Sequence, residues 1–274
     1  MRKTQAFGNR WLAAALVAAA GVLEAAAQAA GGVPGKLTVN NRDFVGMVRW
    51  KASAKEYSVM DPRTNIESIH PLASVQRIQI TRPRELDAAI AAVKARNGAA
   101  AIAALTRIAS DYTMLQHDEE AARWLAEAYL QTGNAAEARK AIEKVTALRP
   151  EAAYLGELAT VYWRVLLQEN RTAKLEELLA LAVKSGDRAA SATALILRGD
   201  LILKSGDSQD HHKRALKDGY LRVVTLYRSV RAVQPEANYK AAKSLEKLGM
   251  TARAHERREV IRKEFRGSEW ANKP

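Results

Sequence analysis

The clearest structural signal in the chain is the stretch 119–150, which reads EEAARWLAEAYLQTGNAAEARKAIEKVTALRP. A large residue followed by a small one, Leu125–Ala126, precedes Gly133 by about two helical turns, and Pro150 closes the stretch. Glycine adopts the left-handed conformation that ends a helix at little cost, and proline at the first helical position loses no hydrogen bond. The pattern therefore predicts two antiparallel helices with a turn at Gly133 and a new helix starting at Pro150.

Three further positions complete the pattern: Tyr129 on the first helix, and the small and bulky residues Ala138 and Ile142 on the second. These residue types in this order resemble the tetratricopeptide repeat (TPR), in which pairs of antiparallel helices stack into an array. In such a repeat Ala126 and Ala138 are small because the two helices cross there. The resemblance implies a non-enzymatic scaffold for protein–protein interaction.

Related signals extend the helical region over residues 84–270. A small residue stands seven positions before a turn glycine three times, as Ala126–Gly133, Gly199–Gly206 and Ala242–Gly249. The segment Pro150–Tyr154 (PEAAY) is echoed by Pro235–Tyr239 (PEANY). We therefore predict a mainly α-helical fold, an α-solenoid of about five TPR-like helical hairpins. The polar residues 207–213 are predicted to be an inserted loop.

Residues 36–80 show the period of β-strands, because short β-branched and aromatic runs alternate with turn signals. One such run is Val75–Ile80, and turn signals occur at Asn40–Asp43 and Asp61–Asn65. Asparagine tolerates the left-handed conformation that tight turns need. The pattern predicts about five short strands in a small SH3-like β-barrel. We expect this module to lean on the following helices and to have a structural or docking role.

Residues 1–29 are predicted to be a cleaved signal peptide. Three basic residues flank the start of an apolar run at 11–23, and Ala27–Ala29 fits the small-x-small pattern of a cleavage site. An uncleaved anchor and an alanine-rich first helix of the fold are the alternatives. No second apolar run approaches the ~20 residues of a membrane span. The mature chain is therefore expected to lack a transmembrane segment and to be periplasmic or secreted.

The composition excludes several classes of protein. The chain has no cysteine, which excludes disulfides, thiolate metal sites and a lipid-modified N-terminal cysteine, so we do not expect a lipoprotein. The formal net charge is +13, and removal of the signal peptide leaves +11. This charge serves either ordinary solubility or attraction to an anionic partner. Because both signs are interspersed along the helices, we favour solubility and expect no nucleic-acid partner.

No sequence motif points to catalysis, because glycine-rich phosphate loops, HExxH and GxSxG are all absent. The best candidate for a metal site is the group Asp207, Asp210, His211 and His212, and the alternative is a solvated polar loop. We favour the loop, and we expect no enzymatic activity, no cofactor and no metal.

Aromatic and charged residues elsewhere are assigned to structure. Trp124, Trp163 and Trp270 are expected to pack between helices and not to contact a ligand. The basic and acidic residues of the C-terminal helix stand three and four positions apart, which is typical of an exposed capping helix.

In the resembling family, partners lie in the groove formed by the first helix of each pair. Carried over from the small helix-crossing positions, this partner-binding groove comprises Arg123, Glu127, Leu130, Gln131, Ile196, Asp200, Leu203, Lys204, Tyr239, Lys243, Glu246 and Lys247. The lining is mixed in charge and indicates no ligand class. Our lead hypothesis is an adaptor for an unidentified protein in the bacterial cell envelope. The alternative is binding of an anionic envelope polymer or membrane surface through the basic charge.

Overall fold

The computed structural model describes residues 31–273, so the predicted signal peptide at 1–29 lies outside the described residues. The described chain forms two compact units, which meet in sequence between Thr132 and Gly133. As predicted, the chain is mainly helical and carries a small antiparallel sheet near its N-terminus.

Five strands form the sheet of the first unit, in the order β4-β3-β2-β1-β5 with antiparallel neighbours. They are β1 Val33–Val39, β2 Arg42–Lys51, β3 Glu56–Met60, β4 Glu67–Pro71 and β5 Val75–Ile80, with one 3-10 turn at Leu72–Ser74. The turn between β1 and β2 consists of Asn40 and Asn41, which have φ of 48° and 59°. Two left-handed residues match the right-handed twist of a tight hairpin, so the predicted turn is confirmed at these two residues, whereas Arg42 and Asp43 begin β2.

The sheet is strongly curled. His70 of β4 is paired with Tyr57 of β3, and Tyr57 is paired with Trp50 of β2. Phe44 lies on β2 six residues before Trp50. The rings of Phe44 and His70 nevertheless lie 4.2 Å apart, which requires the two ends of the sheet to bend towards each other. The SH3-like identity of this module stays a prediction.

Residues between two helices complete the core of the sheet. Leu115 is 3% exposed and packs among the strand residues. The hydroxyl of Tyr57 donates to the carbonyl of Met114 at 2.8 Å, and the backbone N–H of Ile80 donates to Oε1 of Gln116 at 2.8 Å. Because a sheet of this size encloses little apolar volume, it needs these residues, and the first compact unit therefore includes helices as well as strands.

Burial of His70 makes the stability of this unit depend on pH. Desolvation holds the pKa of His70 below its ordinary value of 6.5. The unfolded chain therefore binds the proton more readily, so this contribution is full above pH 6.5 and is lost as the pH falls. We expect the free energy of unfolding to fall below pH ~6.5, with at most ~1.4 kcal/mol per pH unit from this residue. The free energy of unfolding, measured by urea titration at several pH values, should depend less steeply on pH in His70→Phe than in the wild type. An equal pH dependence would contradict this role of His70.

Helices fill the rest of both units. The first unit contains α1 Arg84–Lys94, α2 Gly98–Asp111 and α3 Asp118–Gln131. The second contains α4 Ala135–Thr146, α5 Gly156–Gln168, α6 Thr172–Lys184, α7 Arg188–Ser205, α8 Gln209–Ala215, α9 Leu221–Leu226, α10 Gln234–Lys247 and α11 Thr251–Glu264. A π-helical turn, Leu216–Tyr220, joins α8 to α9. In chain order the first helices of the predicted hairpins correspond to α1, α3, α5, α7 and α10, and both α8 and α9 follow α7. Within the units, α1 contacts α3 and α5 contacts α7.

Three local predictions are wrong. Gly206 has a φ of 171°, which is extended backbone, and α8 begins at Gln209 where a polar loop was predicted. The reason is Ser208, whose hydroxyl accepts from the backbone N–H of His211 and caps the new helix. Pro150 starts a 3-10 turn, Pro150–Ala153, and α5 begins only at Gly156.

The predicted turn glycine at 133 is confirmed by its φ of +78°. A Cβ there would meet no atom within 4 Å, so a substitution is penalised through the backbone alone. We expect Gly133→Val to lower the free energy of unfolding by ~1–2 kcal/mol. Ala126 is fully buried, and Ala126→Leu should cost ~1–3 kcal/mol by overpacking. Thermal melts of both variants check this; melting like the wild type would make the predicted repeat register wrong.

Candidate functional site

One ion pair joins α7 to α10, and a second joins the end of α10 to the short connection that follows α7. Asp200 pairs with Lys240 at 2.6 Å, and Asp207 pairs with Lys247 at 3.2 Å. On both sides the paired residues are seven positions apart, which on α10 is about two helical turns or 10 Å of rise. Asp207 lies two residues beyond Ser205, the last residue of α7. Equal spacing on both sides means that the two chain segments run side by side in the same direction. This is the arrangement that a groove between successive first helices requires.

Asp200 is the centre of a half-buried polar cluster. Its carboxylate accepts from the hydroxyl of Tyr220 at 2.8 Å and from Lys240, which also pairs with Glu236 at 2.6 Å. Burial, reinforced by Asp200, raises the pKa of Tyr220 well above its ordinary value. Burial by itself would lower the pKa of Lys240, but the two carboxylates more than compensate and raise it. The predicted groove residue Asp200 thus joins three elements of the second unit.

Three predicted groove residues each stand two positions before a glycine that the sequence analysis placed in a turn: Gln131, Lys204 and Lys247. Each reaches back to the end of the preceding first helix in its own unit. The contacts are Gln131 Nε2 to the carbonyl of Val93 at 2.8 Å, Lys204 Nζ to the carbonyl of Leu167 at 2.6 Å, and Lys247 Nζ to Asp207 at 3.2 Å. The last carbonyls of a helix lack partners within the helix, and Gln131 and Lys204 each add a side-chain donor to one of them, whereas Lys247 pairs with a carboxylate beyond the end of α7. We call these residues the inter-helix struts.

Two predicted groove residues belong to the interior. Ile196 is 2% exposed and lies in the main core of the second unit. Leu203 is half-buried against the same core. The prediction took α7 as a helix with one outward face, but its buried residues run around most of its circumference, because other elements pack on several sides.

The predicted residues of the first unit lie on α3. Arg123, Glu127 and Leu130 are all half-buried. The guanidinium of Arg123 lies 4.5 Å from the ring centroid of Trp124, and Nζ of Lys94 lies 5.4 Å from the same ring. Stacking of this kind keeps a cation beside an aromatic face. Their part in a groove stays a prediction.

The remaining predicted residues gather on α10 around an aromatic ring. Tyr239 is 8% exposed, and Nζ of Lys243 lies 5.7 Å from its ring centroid. Arg258 of α11 lies 5.5 Å from the same ring and forms two bonds to Glu246, of 2.8 and 3.1 Å. The bonds to Arg258 hold the pKa of Glu246 below its ordinary value. Trp270 stacks on Tyr239 with ring centroids 5.2 Å apart.

Sequence reasoning missed Arg258 and Trp270 as members of this surface. Arg258 was assigned to a capping helix, and Trp270 to packing in general. No spacing rule links them to Tyr239, because they lie 19 and 31 positions away. The available signal in the sequence was that an aromatic residue, Trp270, follows the last helix.

The four residues of the candidate metal site are engaged in separate local contacts. His212 Nε2 lies 2.7 Å from Asp207 Oδ1, His211 Nδ1 lies 2.7 Å from the hydroxyl of Ser208, and Asp210 pairs with Lys213 at 3.4 Å. Between residues 31 and 273, no group of three or more histidine, aspartate or glutamate side chains is placed to hold a metal ion. Over the same residues, no helix is both long and apolar enough to cross a membrane.

The positive charge is unevenly distributed along the chain. Residues 211–274 contain 16 basic and 7 acidic residues, whereas residues 133–210 contain 11 of each. The first unit from residue 31 contains 13 basic and 11 acidic residues. The net charge of residues 31–274 therefore resides mainly in the last quarter of the chain, where acidic residues alternate locally with the basic ones.

Comparison with known proteins returned solved structures of low similarity. A crystal structure of MamA protein is 15% identical, with 66% of this chain and 93% of that chain aligned and a TM-score of 0.46. A Podospora anserina protein, described as a kinesin light chain with nearly identical TPR-like repeats, is 16% identical over 65% and 91%, with a TM-score of 0.47. MamA from AMB-1 is 21% identical over 68% and 100%, with a TM-score of 0.39. No protein-family model and no curated protein sequence matches the chain.

Proposed function

We propose that this chain is a non-enzymatic protein–protein interaction scaffold of the cell envelope. In this proposal a TPR-like α-solenoid of about five hairpins follows an SH3-like barrel, and a cleaved signal peptide directs the chain to the periplasm or beyond. The observation that carries the proposal is that α10 runs beside the end of α7 and the connection after it, in the same direction, as the pairs Asp200–Lys240 and Asp207–Lys247 indicate. Two first helices held in register present one continuous surface, which suits an extended partner.

The character of that surface supports a protein partner. The exposed residues on α10 alternate in sign, with Lys243 and Lys247 beside Glu246. A surface of mixed charge selects a partner with complementary charges, whereas a polyanion would favour one sign. Since the struts already use Lys204 and Lys247, Lys243 is the groove lysine best placed to meet a partner.

Site-specific crosslinking tests this proposal. A photoreactive residue at position 243 should give discrete crosslinked products in an envelope extract. The matched control is position 184, an exposed lysine in the last turn of α6. Products that are the same from both positions, or none from position 243, would overturn the scaffold proposal for this surface.

The location is tested separately by the N-terminus of the mature protein. Cleavage after Ala29 should give a chain beginning at Ala30 in the periplasmic or culture fraction. A full-length chain in the membrane fraction would support the uncleaved anchor, and one in the cytoplasm would contradict export.

A second candidate function is binding of an anionic envelope polymer or membrane surface. The excess of 16 basic over 7 acidic residues in 211–274 favours it. Exposed charges are screened beyond ~8 Å at physiological salt, so binding of this kind should weaken steeply as salt rises. Sedimentation with vesicles containing anionic lipid at two salt concentrations measures it. Equal binding to anionic and neutral vesicles would exclude the membrane form of this function.

A further inference from the structure

The end of the chain folds back onto α10 and α11. We call residues 266–273 the C-terminal strap; they include a 3-10 turn at Glu269–Asn272. The ring of Trp270 lies 5.2 Å from that of Tyr239, tilted by 46°. At the end of the strap, the carbonyl of Lys273 accepts a bond of 3.5 Å from Nη1 of Arg258. The strap thus contacts one aromatic residue of α10 and one cation of α11.

The strap covers a position that sequence analysis assigned to the partner-binding groove. Tyr239 is one of the twelve predicted groove residues, and it is 8% exposed where Trp270 stacks on it. Lys243 and Arg258 also lie against the ring of Tyr239. The surface therefore has the parts of a peptide site: an aromatic platform, a donor for a main-chain carbonyl and flanking charges.

The attachment of the strap is weak compared with that of the helices. Its 3-10 turn has no buried residue, and Trp270 itself is only half-buried. Nζ of Lys273 lies 3.5 Å from the ring centroid of Trp270, and Nζ of Lys240 lies 6.0 Å from it. Lys240 is already paired with Asp200 and Glu236, and at 6.0 Å its contact with the ring adds little to the attachment of the strap. The strap can consequently leave the surface without disturbing the packing of α10 against α11.

We infer that Tyr239, Lys243, Glu246 and Arg258 form a docking site for a short peptide, and that the C-terminal strap is its intramolecular ligand. The peptide presents an aromatic side chain to Tyr239 and a main-chain carbonyl to Arg258. Assigning an external ligand of this kind rests on the proposed scaffold function. Because the strap must first leave, the apparent affinity for an external peptide falls by the fraction of molecules whose site is open.

Trypsin measures whether the strap is docked. The bond after Arg266 lies at the start of the strap, and mass spectrometry follows its cleavage in the full chain. We expect Tyr239→Ala and Trp270→Ala to speed this cleavage at least about tenfold, because the open population rises. The control, Tyr227→Ala, removes a half-buried tyrosine at the end of α9 and should leave the rate unchanged. Equal rates in all four proteins would overturn the docked strap.

A synthetic peptide of residues 266–274, RGSEWANKP, measures whether the site binds in trans. A short tether gives an effective concentration in the millimolar range, so a docked strap implies a Kd below about 1 mM for the open site. We expect full-length Trp270→Ala to bind the labelled peptide at least about tenfold more tightly than the wild type. The double variant Tyr239→Ala/Trp270→Ala should not bind it.

Equal binding to the wild type and Trp270→Ala, or none to Trp270→Ala up to about 2 mM peptide, would overturn the inference. These outcomes are independent of the crosslinking test. Peptide binding without crosslinks from position 243 would retain the self-docking site and reject the scaffold function.

Discussion

Gly219→Ala should lower the free energy of unfolding by about 3 kcal/mol, at the upper end of the cost of overpacking a well-packed core. A Cβ on Gly219 would lie 2.8 Å from the carbonyl oxygen of Leu195 and 2.9 Å from Cα of Gly199. Both are backbone atoms of α7, so relief requires the helix to move. The π-helical turn brings Gly219 against α7 and directs Tyr220, which is 1% exposed, towards Asp200.

Gly199→Ala makes the same test from the other side, because its Cβ would lie 2.4 Å from the ring of the buried Tyr220. The matched control is Gly186→Ala, where φ is +82° and no atom lies within 4 Å of the added Cβ. That change should cost only ~1 kcal/mol, through backbone strain alone. Urea denaturation separates the two cases. If Gly219→Ala costs no more than Gly186→Ala, the close approach of α7 to the π-helical turn is wrong.

Trp163→Ala should lower the free energy of unfolding by ~3–5 kcal/mol, the range for removing a large buried aromatic side chain. Trp163 is fully buried on α5, and its Nε1 donates to the carbonyl of Ala153 at 3.0 Å. The bond joins α5 to the 3-10 turn before it, so its loss also leaves a buried carbonyl without that donor. Denaturant unfolding monitored by circular dichroism measures the change.

Two other variants identify the source of that loss. Trp163→Phe keeps most of the apolar volume and should cost less than the alanine change. Trp270→Ala removes the same side chain from a half-buried position in the strap, where about 1.4 kcal/mol is expected, the free-energy equivalent of a tenfold rise in the open population. If Trp270→Ala proved as costly as Trp163→Ala, the strap would be part of the core, and its role as a releasable ligand would have to be abandoned.

Local signals predicted the elements of this chain well. The asparagine pair at 40–41 and the glycine at 133 take left-handed conformations, as their residue types indicate. Local chemistry also explains the failures. The hydroxyl of Ser208 caps a helix where a loop was predicted, and this capping signal was present in the sequence but not used.

The prediction of the groove succeeded for the small residues on which it was based and was less accurate for the residues counted from them. The small residues at 126, 199 and 242 are buried, as a helix-crossing position requires. The residues counted outward from them have several different roles, however. Gln131 and Lys204 brace neighbouring helices, Ile196 lies in the core, and Lys243 remains exposed.

The sequence by itself determined that this is a helical chain with a small β module before it, because helix and strand periods, caps and turns depend on residues within a few positions of each other. Only the tertiary structure decided which polar side chains are already engaged. Lys204 reaches a carbonyl 37 positions away, Lys240 pairs with a carboxylate 40 positions away, and Tyr239 meets a ring 31 positions away. Such contacts depend on how the helices stack, and the periodicity of residues within one helix does not indicate which residues of a neighbouring helix will contact them.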